Sequence, residues 1–328
     1  MKALAILDPE RARIVDLPRP AAARGEVRIA ISHVGLCGTD LHVFQGAFGR
    51  FPMIPGHDAA GVIDAVGSGE LKPLLGTRVT IDPSACCLRA AVPSPPCPEC
   101  ARGATNLCAN QSYMGISAPG ACAEFVVVPA ARAVALPATV SALQATCLEP
   151  IAVALHLERR IADREGSVAV FGGGPIGLAI TRVLMRNRPA ILIEPSAARR
   201  DFARTHGCPN VCAIDDIGGP LPAILIDAAG HPSVTDVIER RAEPSSLIVL
   251  VGGPLEISGR TILTRELEVR AVKGGRGLYP ESVALAAKGF DTSRWTETLV
   301  PLDAAPAFFE AWSNGNARPF RAAIRVSD

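Results

Sequence analysis

The chain has 328 residues, 48% of them hydrophobic and 20% charged, with 33 basic side chains against 32 acidic ones. This composition can bury a large core and argues against a disordered chain, and a formal charge of +1 with 4% aromatic residues argues against a nucleic-acid partner. A chain of this size needs no disulfides to fold, so its ten cysteines point to a reducing compartment with metal or redox roles, or to chance buried thiols.

The opening run from Met1 to Leu7 is too short for a signal peptide and is followed by Asp8, Glu10 and Arg11. The longest apolar stretch, 167–185, contains glycines, Pro175 and Arg182 and makes a poor membrane span. The expectation is a cytoplasmic protein with no membrane partner. Strands are predicted at 27–31, 61–67, 78–81 and 124–128, punctuated by glycine and proline, so the first half is β-rich. Near Pro150 the pattern changes. A helix at 151–160 leads into strands at 167–171, 190–193, 223–227 and 246–251, alternating with helices at 175–186, 197–206 and 233–241. That alternation implies an α/β fold with a doubly wound parallel sheet.

Gly172-Gly173-Gly174-Pro175-Ile176-Gly177 follows an apolar strand and opens a helix, the context in which G-x-G-x-x-G binds a dinucleotide. Gly172 allows the tight turn, Gly174 lets a pyrophosphate approach the backbone, and Gly177 lets helix and strand pack closely. Pro175 and Ile176 open the helix, whose free N-terminal amides face the phosphates. The next strand ends at Glu194, where a carboxylate suits ribose hydroxyls and favours NAD over NADP. Arg199 and Arg200 lie just behind and oppose that preference if they grip a 2′-phosphate. As an alternative they line a solvated helix face.

Cys37 and His57 are types that ligate zinc, and a neighbouring carboxylate can complete such a site. Spacing alone equally allows a buried thiol and a core histidine. The blocks Gly35-Leu36-Cys37-Gly38-Thr39-Asp40-Leu41-His42, Pro55-Gly56-His57-Asp58, Leu148-Glu149-Pro150 and Gly172–Gly177 together resemble the zinc-dependent medium-chain dehydrogenase/reductase family. With His156 they are similar to its polyol branch, the sorbitol, threonine and butanediol dehydrogenases. Gly120–Phe125, with the block from Glu149 to His156, also resembles aminocyclitol dehydrogenases.

The resemblance implies a GroES-like catalytic domain formed by 1–149 and 289–328, interrupted by a Rossmann domain at 150–288. It implies Cys37 and His57 as zinc ligands, with Asp58 standing where the family usually has Glu, and Glu149 as the polyol-type acid. Thr39 and His42 become a proton relay. The family's structural-zinc lobe is matched at Cys97, Cys100 and Cys108, whereas the position of its first cysteine is held by Ser94. Cys86 or Cys87 is the candidate fourth ligand. Cys147 is a rival ligand near Glu149, read as a buried thiol. The expected activity is reversible, NAD-linked oxidation of a secondary alcohol, a polyol, diol or cyclitol, by a homodimer or homotetramer. The alternatives are an NADP-dependent carbonyl reductase and a catalytically silent dinucleotide-binding relative.

Overall fold

A computed structural model describes residues 1–91 and 95–327. The chain divides into two compact units, Met1–Glu149 together with the residues from Tyr279 onward, and Pro150–Leu278. The return to the first unit therefore comes earlier than the expected boundary at 288–289. Helix Tyr279–Ala287 belongs to the first unit. Its first residue is buried within the electrostatic field of Asp58 and Glu149, both in the first unit.

The first unit is built on a seven-stranded sheet. Strand Glu26–Leu36 is its spine, pairing antiparallel with Asp58–Val66, with Phe125–Pro129 near its start and with Ala322–Arg325 near its end. The C-terminal strand thus enters the sheet formed by the N-terminal half. Its core contains Ile29, Ile31, Val34 and Ile63 together with Phe309 and Ile324, so both sequence pieces share one apolar cluster. Phe44 belongs to that core, with its ring 5.4 Å from Phe309.

The second unit is a six-stranded sheet of wholly parallel pairs. In spatial order the strands are Val211–Cys212, Ala190–Ile193, Val168–Phe171, Ile224–Asp227, Leu247–Leu250 and Glu268–Ala271. Val168–Phe171 and Ile224–Asp227 are buried along their whole length, as strands covered on both faces must be. The order reverses beside Val168–Phe171, where crevices at the strand ends bind ligands in such sheets. Among the described residues no helix is long and apolar enough to cross a membrane.

Candidate active site and cofactor loop

Cys37 follows the spine strand and is the N-cap residue of helix Gly38–Phe44. Asp40, buried three residues into the block, uses one carboxylate oxygen to accept the Cys37 N–H at 2.9 Å. Its other oxygen accepts the Gly56 N–H at 2.8 Å, fastening the two motif segments together. Gly56 has φ +93°, and a Cβ there would lie 2.6 Å from the Cys122 sulfur, so the turn that delivers His57 requires glycine. Thr39 Oγ1 lies 3.8 Å from Cys37 Sγ. His42 is exposed one turn further on, on the same helix.

His57 is buried, with Nδ1 3.6 Å from Asp40 Oδ1 and Nε2 3.9 Å from Asp58 Oδ2. Burial lowers its pKa, but the carboxylates of Asp40 and Asp58 outweigh burial and hold the ring well above its usual value. Asp58 Oδ2 accepts a hydrogen bond from Arg321, which also donates to the Thr146 carbonyl at 2.5 Å. Asp58 Oδ1 is buried without a hydrogen-bond partner. Glu149 opens helix Leu148–Arg160, and its Oε1 accepts from the Tyr113 hydroxyl at 3.4 Å. Burial, reinforced by Asp58, pushes the Glu149 carboxyl up to about 7. The Tyr113 ring meets His57 edge-on at 5.7 Å.

Cys37, His57, Asp58 and Glu149 are therefore brought into one buried neighbourhood that also holds Asp40. It is rich in potential anions, and Arg321 is the guanidinium set against them. His57 Nδ1 and Asp58 Oδ1 are buried polar atoms without hydrogen-bond partners, a donor set suited to a divalent cation. Sequence reasoning passed over Arg321, Tyr113 and Tyr279. Asp40 stood inside the quoted block without a role, although an acid three positions after Cys37 is a capping signal. Cys147 is buried beside Thr146, as a core thiol.

In the cysteine lobe, the sulfurs of Cys87, Cys97, Cys100 and Cys108 all lie within 4.8 Å of one another. Cys86 packs in the same cluster but is not among the four converging thiols. Ser94 lies outside the described residues.

In the second unit, Gly172 has φ +104°, and a Cβ on Gly177 would sit 1.8 Å from the Gly172 carbonyl oxygen. Both positions thus demand glycine. Around Gly174 a Cβ would meet nothing within 4 Å, which leaves open space beside the start of helix Pro175–Leu184. Glu194, at the end of strand Ala190–Ile193, accepts N–H groups from Gly173 at 2.6 Å and Ser196 at 2.8 Å. Arg199 is exposed, whereas Arg200 turns back to donate to the carbonyls of Glu194 and Pro195. His156 Nδ1 is 2.8 Å from the Gly274 carbonyl, a structural contact within this unit.

A GroES-like unit with a buried Cys/His/carboxylate cluster, joined to a parallel sheet with a dinucleotide loop, defines an alcohol-dehydrogenase type of oxidoreductase. Comparison with known proteins agrees. Residues 23–138 match the alcohol dehydrogenase GroES-like domain. The chain is 32% identical over 308 residues to the starvation-sensing protein RspB of Escherichia coli (strain K12), covering 88% of each protein. It is 32% identical over 271 residues to 2-dehydro-3-deoxy-L-galactonate 5-dehydrogenase of Pseudoalteromonas atlantica, covering 74% of this chain and 77% of that one. A crystal structure of an alcohol dehydrogenase from Escherichia coli CFT073, complexed with cofactor NADH, superposes with a TM-score of 0.89 at 27% identity over 99% of each chain. The chain belongs to the zinc-type medium-chain dehydrogenase/reductase family. It is an enzyme, an oxidoreductase that moves hydride between a secondary alcohol and a nicotinamide cofactor.

Proposed function

We propose that the enzyme oxidises a secondary hydroxyl of a polyhydroxylated substrate, a polyol, diol or cyclitol, with NAD. Cys37 and His57 hold a zinc ion, with the carboxylates of Asp58 and Glu149 completing its surroundings. The observation that carries this reading is the convergence of those four side chains, from three separate segments, in one buried and anion-rich cluster. A zinc ion held there would supply the acidification of a neighbouring hydroxyl group, and a bound nicotinamide would serve as hydride acceptor.

The protein's own residues supply the rest. The Asp40 carboxylate faces His57 Nδ1 across 3.6 Å and biases the ring's orientation electrostatically. Arg321 fixes one oxygen of Asp58 and offsets part of the local negative charge. Tyr113 holds the Glu149 carboxylate. Thr39, beside Cys37, accepts the proton of the substrate hydroxyl and hands it toward His42, whose exposed ring releases it to solvent. Gly174 leaves room for the pyrophosphate, and Glu194 takes the adenosine ribose hydroxyls, disfavouring a 2′-phosphate. Arg200 is engaged with backbone carbonyls, which also favours NAD. The relative acting on a deoxy sugar acid supports a substrate with several hydroxyls.

The test is a screen of NAD and NADP reduction against diols, sugar alcohols, sugar acids and cyclitols. Turnover with NAD on at least one polyhydroxylated alcohol is expected. Activity confined to NADP, or to monohydric alcohols, would contradict the proposal.

A further inference from the structure

The dinucleotide loop does not hold its shape alone. A Cβ on Gly172 would lie 2.9 Å from the Ala229 Cβ and 3.0 Å from the Ala229 nitrogen, and one on Gly177 would lie 3.6 Å from the Ala228 Cβ. The turn 228–230, at the end of strand Ile224–Asp227, is therefore the wall against which the cofactor loop is moulded. Toward the next strand, Gly230 has φ +61°, and a Cβ there would lie 2.8 Å from the Gly252 carbonyl. The strand ends at Phe171, Asp227 and Leu250 stand side by side in register. Their three turns thus meet without spare room, at the end of the sheet where ligands bind.

Asp227 ties these ends together. Its carbonyl accepts the N–H of Val251 at 2.9 Å and that of Gly252 at 3.4 Å, and the following amide, Ala228, donates to the Phe171 carbonyl at 3.0 Å. Its side chain is fully buried, and Oδ1 accepts the N–H groups of Ala229 and Gly230, both at 2.9 Å. Oδ2 is buried without a hydrogen-bond partner. Burial pushes the carboxyl above the usual aspartate range, and the two amides draw it down by less. A buried acid with an unmet oxygen costs the fold free energy, and closing a turn of alanine and glycine needs no charge. A group that the fold alone does not require, set beside a ligand crevice, marks a position held for binding.

We propose that Asp227 is a positioning residue for the nicotinamide cofactor: through Oδ1 it braces the turn 228–230 against Gly172 and so fixes the loop that receives the pyrophosphate, without touching the cofactor itself. A loop already held in its bound form loses less freedom when the cofactor arrives, and affinity rises accordingly. The proposal rests on the dinucleotide reading of Gly172–Gly177 and is independent of the metal cluster and of the alcohol.

The test measures NADH affinity by calorimetry on the full chain and follows hydrogen exchange at the amides of Gly172, Gly173, Ala229 and Gly230. Asp227→Ala is expected to weaken NADH binding about tenfold and to quicken exchange at all four amides. Asp227→Asn keeps an oxygen acceptor for the two turn amides and should bind NADH within about twofold of the wild type, which separates the brace from the charge. A merely structural aspartate would leave Asp227→Ala less stable with NADH affinity unchanged, and that result would overturn the proposal. Faster exchange confined to Ala229 and Gly230, or a loss of affinity in Asp227→Asn as large as in Asp227→Ala, would overturn it too. If Asp227→Ala does not fold, the wild type serves: NADH should slow exchange at Ala229 and Gly230 together with Gly172 and Gly173, and protection limited to the latter pair would contradict the brace. The same comparison runs with NADPH should that be the cofactor bound. No alcohol enters the measurement, so a chain that showed the brace yet oxidised no polyhydroxylated substrate would sink the proposed function alone.

Discussion

Removing one member of a buried ion pair leaves the other charged and unsolvated. Arg321 and Asp58 are both at most 3% exposed, so Arg321→Leu is expected to cost about 3–5 kcal/mol, measured by denaturant unfolding of the metal-free protein. A loss below about 1 kcal/mol would mean that the pair is solvated. The glycine loop gives a second test. A Cβ at residue 177 would collide with the Gly172 carbonyl, so Gly177→Ala is expected to destabilise by about 3 kcal/mol and to weaken NADH binding roughly tenfold by calorimetry. Gly174→Ala, in open space, should fold normally and still lose NADH affinity. Cys37, His57 and Glu149 stand out in the sequence by residue type, and the proposed site rests on them. Arg321 does not stand out, because the contact that gives it meaning spans 263 residues and an isolated arginine carries no local signal.

At the scale of elements, strands buried on both faces announce themselves. Val168–Phe171, Ala190–Ile193, Ile224–Asp227 and Leu247–Leu250 all fall inside the apolar runs predicted for them. The edge strand Glu268–Ala271 was missed, since Glu268 and Arg270 alternate with small or exposed residues and leave no apolar run. The opening strand Lys2–Asp8 was passed over as a short apolar run, although its pairing with Arg11–Asp16 buries it. At the sheet edge Arg270 is tied to Asp163, and that hydrogen bond holds the Asp163 carboxyl down at about 2, below the usual 3.8. A depressed carboxyl stabilises the fold above pH 3.8 and loses that contribution as pH falls toward 2. Asp163→Asn should therefore melt slightly below the wild type at pH 5 and above, and the gap should close between pH 4 and 2. A gap independent of pH would show that the pair contributes no electrostatic stability. The Asp163 carboxylate is solvent-exposed, so the effect is small.

For the whole molecule, the first unit is completed only when the chain returns to it after the parallel sheet. Phe309, on helix Ala305–Ser313, is fully buried against Phe44 of the N-terminal half. Phe309→Ala is expected to cost about 3–5 kcal/mol and to destabilise the N-terminal sheet with the C-terminal piece, seen as joint loss of exchange protection in strands Glu26–Leu36 and Ala322–Arg325. Loss confined to the C-terminal strand would show that the two pieces fold separately. A split catalytic unit was readable in outline through the family resemblance. The point of return was not, because only a buried contact reveals to which unit helix Tyr279–Ala287 belongs. The account as a whole stands on the metal-binding reading of the cluster around Cys37. Its most direct test is the rate of NADH formation by wild type and Cys37→Ala, with NADH affinity measured on both. The account predicts a loss of turnover of about a thousandfold or more with cofactor affinity unchanged. Near-normal turnover in Cys37→Ala would contradict it.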